Sequence, residues 1–229
     1  MAVALRIEDL SFRYDRGAVD APPVVRVGHF ELARGEVALL RGHSGSGKTT
    51  LLGLVAGLLE PTLGRVEIAG QDLHALRGGA RDRFRGRHLG LVFQTFNLLH
   101  GFSAMENVLA GMMFSEIPRS EHNGRARMLL ERLGIERMDA RPEELSVGQQ
   151  QRVAVARAVA AKPALVLADE PTASLDPENA DVAIELIKGA CVEAGAALLC
   201  VSHDPAASKH FERVEDLETL AEPAIVERG

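Results

Sequence analysis

The segment GHSGSGKT at 42–49 restricts the possible folds of this 229-residue chain more than any other feature. It matches the pattern G-x-x-x-x-G-K-[ST], follows the apolar run VALL and opens a stretch whose leucines recur at helical spacing. Where a strand turns through glycines into a helix, backbone N–H groups and the helix dipole favour phosphate oxygens. The segment therefore predicts an α/β fold with a phosphate-binding loop, here called the phosphate loop, between a strand and a helix.

The phosphate loop and the residue after it are the predicted contacts of a phosphorylated ligand. Lys48 is placed to reach the terminal phosphates, and the hydroxyl of Thr49 can ligate Mg²⁺. A hydrolase elbow of the form G-x-S-x-G is excluded, because Ser46 stands where its second glycine is required. The ligand-binding set predicted for this segment is Gly42, His43, Ser44, Gly45, Ser46, Gly47, Lys48, Thr49 and Thr50.

Acidic residues end a second apolar run, and a histidine ends a third. The run ALVLADE places Asp169 and Glu170 where a buried strand leaves its sheet, which is where open α/β folds bind ligands. One carboxylate there can hold Mg²⁺, and the next can orient and deprotonate a water molecule. His203 follows LLCVS, and a single histidine in such a position is more often structural than catalytic.

Strand-like and helical segments alternate along the chain, which predicts a mainly parallel core sheet. The runs VALRIEDLSFRY, GHFELARGEVALL and GRVEIAG near the N-terminus indicate a small antiparallel β flank. Residues 95–160 have helical patterns and are interpreted as an inserted α-helical subdomain. A further helix is expected to begin at Asp176, with Pro177 in its first turn, and to end at Gly195.

Composition excludes several classes of protein. The net charge of −6 lacks the basic footprint of a nucleic-acid binder, so no nucleic-acid partner is expected. The charges of Arg6, Glu8 and Asp9 argue against a signal peptide, and the run at 51–59 is far shorter than the roughly 20 residues that span a bilayer. Two cysteines outside any metal or redox motif fit a reducing compartment. A cytoplasmic protein is expected, with any membrane role supplied by a partner.

The segment LSVGQQQR at 145–152, here called the signature segment, is unusually polar for the start of an apolar helix. Ser146 and Gln149 have the spacing of a capping box, so a helix is predicted to begin at this point. Its first N–H groups would then face outward, where they can bind an anion.

Six elements together identify a family. They are GHSGSGKT, Gln94 in VFQ, LSVGQQQRVAVARA, LVLADEP, SLD at 174–176 and His203, in that order. They resemble the ATP-binding subunits of ABC transporters, and the resemblance covers residues 3–204. It implies a P-loop NTPase fold of ABC type, with ATP and Mg²⁺ as ligands.

The resemblance also implies a domain organisation. A single ABC ATPase domain is expected over 1–229. Its catalytic core with the β flank would comprise 1–94 and 161–229, and the helical subdomain with the signature segment would comprise 95–160.

Family roles transfer to matching positions of this chain. Gln94 matches the glutamine that touches Mg²⁺ and links the site to the helical subdomain, and Asp169 matches the metal-binding acid. Glu170 matches the general base, and His203 matches the histidine that contacts the γ-phosphate. Tyr14, the only tyrosine, matches the aromatic residue that stacks on adenine.

A second subunit explains the signature segment. In this family two subunits meet head to tail and enclose two ATP molecules, so Ser146, Gly148 and Gln149 would complete the partner's site. Asp176 falls in the loop that crosses the same interface. Val147 departs from the family, which usually has glycine at that position.

The resemblance implies a separate integral membrane permease and a second ATP-binding subunit, expected as a homodimer, on the cytoplasmic face of the inner or cell membrane. A finer resemblance is to the subgroup of lipoprotein-releasing, macrolide-exporting and cell-division-associated ATPases, whose partners move lipid-linked or peptide cargo or transmit force. The tail HFERVEDLETL departs from the family's strand, glycine turn and strand, which predicts a remodelled end.

Three other classes fit less well. Soluble ABC ATPases that act on ribosomes usually carry two cassettes in one chain, and DNA-repair ATPases carry a long coiled-coil insertion. A small-molecule P-loop kinase has no use for the signature segment, the SLD segment or His203.

Overall fold

The structure is a computed structural model that describes residues 2–14, 22–173 and 175–221. Within those ranges the chain forms nine strands and six α-helices. The strands are β1 (Val3–Phe12), β2 (Val25–Ala33), β3 (Val37–Arg41), β4 (Leu63–Ile68), β5 (Gln71–Asp72), β6 (Leu89–Val92), β7 (Leu165–Asp169), β8 (Ala197–Ser202) and β9 (Arg213–Asp216). The helices are α1 (Lys48–Val55), α2 (Gly78–His88), α3 (Ala104–Gly111), α4 (Arg119–Arg132), α5 (Val147–Val159) and α6 (Pro177–Ala194).

The core of the molecule is a parallel sheet with the strand order β6-β7-β8-β3-β9. Every pair of neighbouring strands in it is parallel. All of β8 and nearly all of β7 are buried, which explains why these strands are continuous apolar runs in the sequence. The predicted parallel core sheet is confirmed.

An antiparallel sheet with the order β2-β1-β4-β5 forms the predicted flank. The sequence pattern assigns the whole run GHFELARGEVALL to this flank, and the structure corrects this for its last residues, VALL, which lie in the parallel sheet. Gly35 takes a φ of +75° after Arg34, and the chain turns there. As a result β2 lies in the antiparallel sheet and β3 lies in the parallel sheet.

Two hydrophobic clusters cover the two faces of the parallel sheet. Val166 and Ala168 of β7 face a cluster with α3, α4, α5 and α6. Leu165 and Leu167 of the same strand face a second cluster with α1 and the antiparallel sheet. Because side chains alternate along a strand, β7 serves both clusters, and its position is fixed from both sides.

The helices between residues 104 and 159 occupy the region predicted to be helical. Asp176 caps α6 by accepting a hydrogen bond from the N–H of Asn179, and Gly195 ends this helix with a φ of +67°. Helix α2 was not predicted, since none of its side chains is buried and its sequence therefore has no apolar period. In the described part of the chain no helix is both long and apolar enough to cross a membrane.

Both cysteines, Cys191 and Cys200, are buried in the core. Burial raises the pKa of the Cys191 thiol to about 12 and raises the pKa of the Cys200 thiol still further. Thiols held in the protonated form are inert, so their role is packing.

Strand β6 and helix α5 meet so closely that only glycine fits between them. A Cβ added to Gly90 would lie 2.2 Å from the carbonyl oxygen of Ala158. We expect Gly90→Ala to lower the free energy of unfolding by about 1–3 kcal/mol, because the backbone must shift to relieve the overlap. Urea denaturation monitored by circular dichroism measures this change.

The control is Gly189→Ala on α6, where an added Cβ meets no atom within 4 Å. This change is expected to stabilise the chain by about 0.5–1 kcal/mol through helix propensity alone. A Gly90→Ala variant as stable as the Gly189→Ala variant would contradict the close contact.

Candidate active site

The carboxyl ends of four neighbouring strands bring the predicted site residues together. Strands β6, β7, β8 and β3 are adjacent and parallel, so these ends lie at one edge of the sheet. There β3 leads to the phosphate loop, β7 ends at Asp169 and β8 is followed by His203. Gln94 is exposed two residues after β6, whose last residue pairs with Ala168.

The backbone of the phosphate loop has the form that a phosphate group requires. Gly45 and Gly47 have φ values of +82° and +94°, and a Cβ at Gly47 would lie 2.7 Å from the carbonyl oxygen of Val24. Ser46 Oγ is buried, and among the described residues it has no hydrogen-bond partner. An unsatisfied hydroxyl beside the free N–H groups of the first turn of α1 fits phosphate oxygens as acceptors.

Lys48 places a positive charge between the phosphate loop and β7. Its side chain is buried, and Nζ donates to the carbonyl oxygens of Gly42 at 2.8 Å and His43 at 3.0 Å. The same nitrogen lies 3.5 Å from Glu170 Oε1. The ammonium group is therefore fixed where β- and γ-phosphate oxygens would meet the acidic end of β7.

Glu170 is held by three contacts from the end of β8. Its Oε2 accepts hydrogen bonds at 3.2 Å from the Ser202 hydroxyl and from the N–H of His203. Its Oε1 lies 2.8 Å from His203 Nδ1. Glu170 also has a φ of +44°, a conformation that residues with a side chain rarely adopt and that often marks functional sites. A carboxylate fixed in this way suits a general base, which needs one defined orientation.

Asp169 faces the start of α1. Thr49 Oγ1 donates a hydrogen bond to its Oδ1 at 3.2 Å. Burial raises the pKa of Asp169; the charge of Glu170 adds to this effect, and the Thr49 hydrogen bond and the charge of Lys48 oppose it. An ammonium group nearby and a divalent cation would each favour the ionised carboxylate.

The residues at this edge fit a hard divalent cation in part. The Thr49 hydroxyl and the Asp169 carboxylate place two oxygen atoms side by side, and oxygen ligands are what Mg²⁺ prefers. Within the described ranges, no group of three His, Cys, Asp or Glu side chains could hold a metal ion alone. A cation here would take its remaining ligands from phosphate and water, as Mg²⁺ usually does.

Tyr14 lies beside the start of α1. Its hydroxyl is 3.3 Å from Thr50 Oγ1, and its ring meets that of Phe12 edge to face with centroids 4.8 Å apart. The residue is 52% exposed, so part of the ring is accessible to a stacking partner.

The signature segment begins a capped helix, as predicted. Ser146 Oγ accepts from the N–H of Gln149 at 3.3 Å, and Gln149 Oε1 accepts from the N–H of Ser146 at 2.9 Å. Ser146, Val147 and Gly148 are exposed, and a Cβ at Gly148 would meet nothing within 4 Å. In the described chain none of these residues hydrogen-bonds to the phosphate loop. The structure thus unites the loop, Asp169, Glu170 and His203, and leaves the signature segment apart from them.

Two residues of the site were missed in the sequence. Ser202 orients Glu170, and its only signal was a polar residue at the end of an apolar strand. Gln151 is buried, and its Nε2 donates to the carbonyl oxygen of Pro171 at 3.0 Å, which connects α5 to the residue after Glu170. The sequence does not single out Gln151, because the two residues before it are also glutamines and the three differ only in the side of α5 on which they lie.

Residues 213–218 of the tail contact β3 and the phosphate loop. Strand β9 pairs in parallel with β3, and Asp216 accepts two hydrogen bonds from Arg41 at 3.1 and 3.0 Å. His43 Nδ1 lies 2.8 Å from Glu218 Oε1. Ser174 of the SLD segment and residues 222–229 of the predicted core lie outside the described residues.

Comparison with known proteins identifies the family. The family described as ABC transporter matches residues 26–173. The chain belongs to the ABC transporter family. It is the ATP-binding subunit of such a transporter, and it binds and hydrolyses ATP.

Curated relatives cover nearly the whole chain. The lipoprotein-releasing system ATP-binding protein LolD of Chromohalobacter salexigens is 41% identical over 94% of this chain and 91% of its own. The protein of the same name from a Shewanella species is 39% identical over 92% of this chain and 91% of its own.

Solved ABC cassettes share the fold. The ATP-binding cassette MJ0796, in a dimeric post-hydrolysis state bound to ADP and Pi, is 31% identical with a TM-score of 0.79 over 93% of each chain. The cassette cbiO1 of Clostridium perfringens, part of an ABC transporter complex, is 29% identical with a TM-score of 0.76. It covers 89% of this chain and 80% of that one.

The raised pKa of Asp169 predicts a conflict between the site and stability. The folded chain holds the Asp169 proton to higher pH than the unfolded chain does, so stability falls as pH rises through that window. We expect Asp169→Asn to raise the melting temperature of the nucleotide-free chain at pH 7.5. The gain should shrink as the pH approaches about 3.9, the usual pKa of aspartate. Thermal melts across this pH range measure it.

Asp181→Asn is the matched control. Hydrogen bonds from Lys209 and His210 lower the pKa of Asp181, so its ionised form favours the folded state and its loss should lower the melting temperature at pH 7.5. If both variants shifted the melting temperature in the same direction, burial would not be the cause of the effect of Asp169 on stability.

Proposed function

We propose that this subunit works as a head-to-tail homodimer on a membrane permease and drives the extraction of lipid-linked cargo, lipoproteins in particular. The observation that carries the proposal is the separation of the site into two parts. The phosphate loop, Asp169, Glu170 and His203 share one edge of the sheet, and the capped start of α5 is exposed elsewhere on the surface. A second copy, with its own exposed helix start, would supply the missing part.

Within one subunit, each residue of the proposed site has a distinct task. Lys48 binds the terminal phosphates together with the N–H groups of the phosphate loop. Glu170 orients the attacking water and accepts its proton, and Ser202 keeps the carboxylate in place. His203 contacts the γ-phosphate, and Tyr14 stacks on adenine.

Mg²⁺, when bound, neutralises charge on the β- and γ-phosphates. Thr49, Asp169 and Gln94 are the residues that would hold it. The hydrogen bond between Thr49 and Asp169 supports this assignment, because it brings two of the three together.

The signature segment acts on the partner's nucleotide. The Ser146 hydroxyl and the N–H groups of the first turn of α5 would bind the partner's γ-phosphate. Gly148 has open space around it, so the partner can approach the backbone closely. The dimeric state of the solved cassette MJ0796 supports this arrangement.

The permease is proposed to dock on a groove of about 520 Å³ between α2, β6 and α3. The groove lies next to the residues that follow Gln94, so a movement of the permease there can reach the metal site. Exposed apolar side chains at and near the groove favour a protein partner over water. Phe114 lines the groove, and Leu99, Phe102 and Met113 lie in the segments just before and after α3. This contact would hold the subunit on the cytoplasmic face of the membrane.

Helices α3, α4 and α5, with one wall of the groove and the signature segment, are proposed to move as one unit. In this division residues 95–160 form the helical subdomain, and 1–94 with 161–229 form the catalytic core. Gln94 lies at the first junction, and Gln151 of the helical subdomain donates a hydrogen bond to the carbonyl oxygen of Pro171, the residue after Glu170.

The cargo is inferred from the relatives. Both curated relatives are lipoprotein-releasing ATP-binding proteins, and each aligns over more than nine-tenths of this chain. A lipid-anchored protein must be pulled out of a bilayer at about 0.8 kcal/mol per buried CH₂ group, which is work that ATP hydrolysis can supply.

The test of this function is Glu170→Gln. Glutamine keeps the shape and the hydrogen bonds but cannot take a proton, so turnover should fall at least about 100-fold while ATP still binds. The ATP-loaded variant should elute as a dimer in size exclusion with light scattering.

Glu121→Gln, on the exposed first turn of α4, is the control and should keep wild-type turnover. A Glu170→Gln variant that turns over ATP normally would remove Glu170 from catalysis. One that binds ATP but stays monomeric at all concentrations would count against the sandwich.

Val147 tests the role of the helix start. Its side chain is 52% exposed in the first turn of α5, while the cap is made by its neighbours. We expect Val147→Gly to change ATPase activity by less than about tenfold, or about 1.4 kcal/mol in barrier. Ser146→Arg should be far more damaging, since it removes the cap and fills the space for the partner's phosphate. Equal damage from the two changes in a steady-state assay would mean that the valine side chain itself contacts the partner.

A further inference from the structure

Arg157 is a partly buried cation on α5 that the site described above does not use. Its Nη1 donates to the carbonyl oxygen of Asn97 at 2.6 Å, and its Nη2 donates to that of Phe96 at 2.7 Å. In the described part of the chain no carboxylate pairs with it. Burial lowers the pKa of Arg157, so two backbone carbonyls are what holds a charge removed from water.

These carbonyls belong to a turn with a strained backbone. Phe96 and Asn97 have φ values of +58° and +46°, and two successive residues with side chains rarely take this left-handed form. Both directly follow Thr95 and Gln94. The strained pair is stabilised from outside, and the fork of the guanidinium matches its two carbonyls.

The stem of Arg157 is itself fixed by α3. A Cβ added to Gly111 would lie 3.1 Å from Arg157 Cγ and 2.5 Å from the Arg157 carbonyl oxygen, so the two helices are in close contact there. Asn97, Gly111 and Arg157 all line the groove of about 520 Å³. Anything that enters the groove therefore lies against the guanidinium and the strained loop together.

Helix α5 contacts two loops at the edge of the sheet, the one that follows β7 and the one that follows β6. Near its start Gln151 donates to the carbonyl of Pro171, beside Glu170. Two turns later Arg157 holds the backbone after Gln94. One rigid helix thus connects the signature segment with the two loops that follow β6 and β7.

We propose that Arg157 is a positioning residue, which holds the backbone of residues 94–97 in its left-handed turn and so sets where the Gln94 side chain lies. The proposal rests on the role assigned to Gln94 at the metal. Arg157 touches neither nucleotide nor metal, and it acts through the carbonyls of Phe96 and Asn97. A displacement of α5 or of the groove would reach Gln94 by this route.

Hydrogen–deuterium exchange on the full-length chain tests the proposal without relying on activity. Arg157→Gln should raise exchange of the amides in 95–100 by about tenfold, because the turn loses its external hold. Arg125→Gln is the matched control. Arg125 also donates to two carbonyls, those of Ala160 and Val159 at 2.6 and 3.1 Å, but both belong to the end of α5. It should leave exchange at 95–100 unchanged.

Kinetics separate positioning from a purely structural role. Arg157→Gln should lower kcat for ATP about tenfold and change KM less than about threefold, since the phosphate loop is intact. Arg157→Lys should recover part of kcat and part of the protection of the 95–100 amides from exchange, because an ammonium group can reach one carbonyl but lacks the fork. The Lys variant also keeps the stem and the charge, so it carries the test if the Gln variant does not fold.

Exchange at 95–100 that is no faster in Arg157→Gln, or in Arg157→Lys if that variant must serve, than in the matching Arg125 variant would overturn the proposal. Faster exchange with unchanged kcat would leave Arg157 as a structural clamp and would also overturn it. Loss of the assigned role of Gln94 would be seen separately, as a Gln94→Ala variant with wild-type turnover and unaltered exchange.

Discussion

Parallel pairing of β3, β8 and β7 is the interaction on which the site depends. It places the phosphate loop, Asp169 and the residues after β8 at one edge, although Thr49 of the loop and Asp169 are 120 positions apart in the sequence. The strands hold this register because side chains of β7 enter both hydrophobic clusters. A slip by one residue would exchange the two sets of side chains and move each site residue along the edge.

The residues at this edge work against the stability of the fold. Asp169 is buried with a raised pKa, Glu170 has a positive φ, and the hydroxyl of Ser46 has no partner in the described chain. Each feature costs free energy in the nucleotide-free protein, and each suits a triphosphate with its cation. The apolar strands beneath them compensate, which explains why polarity is confined to the last residues of each strand.

Helix α5 connects three parts of the protein that are far apart in the sequence. Its start is capped and exposed, its first turns contact the residue after Glu170, and its last turn holds the strained turn after Gln94. A single helix that touches all three can respond to a partner subunit, to the catalytic acid and to the groove. Its polar contacts are hydrogen bonds of side chains to backbone carbonyls, which fix position without demanding a particular partner sequence.

The elements that the sequence could predict depend on local chemistry, and the remaining elements depend on contacts between residues far apart in the sequence. The phosphate loop, the caps at Ser146 and Asp176 and the buried parallel strands depend on contacts within a few residues or on hydrophobic period, so they are legible in the chain. The division of β2 from β3, the order of the strands and the place of β9 depend on pairing across long separations, and α2 has no apolar period in its sequence. Gln151 and Arg157 were hidden for the same reason, because the importance of a polar side chain lies in the carbonyl it meets, and only tertiary structure brings that carbonyl near.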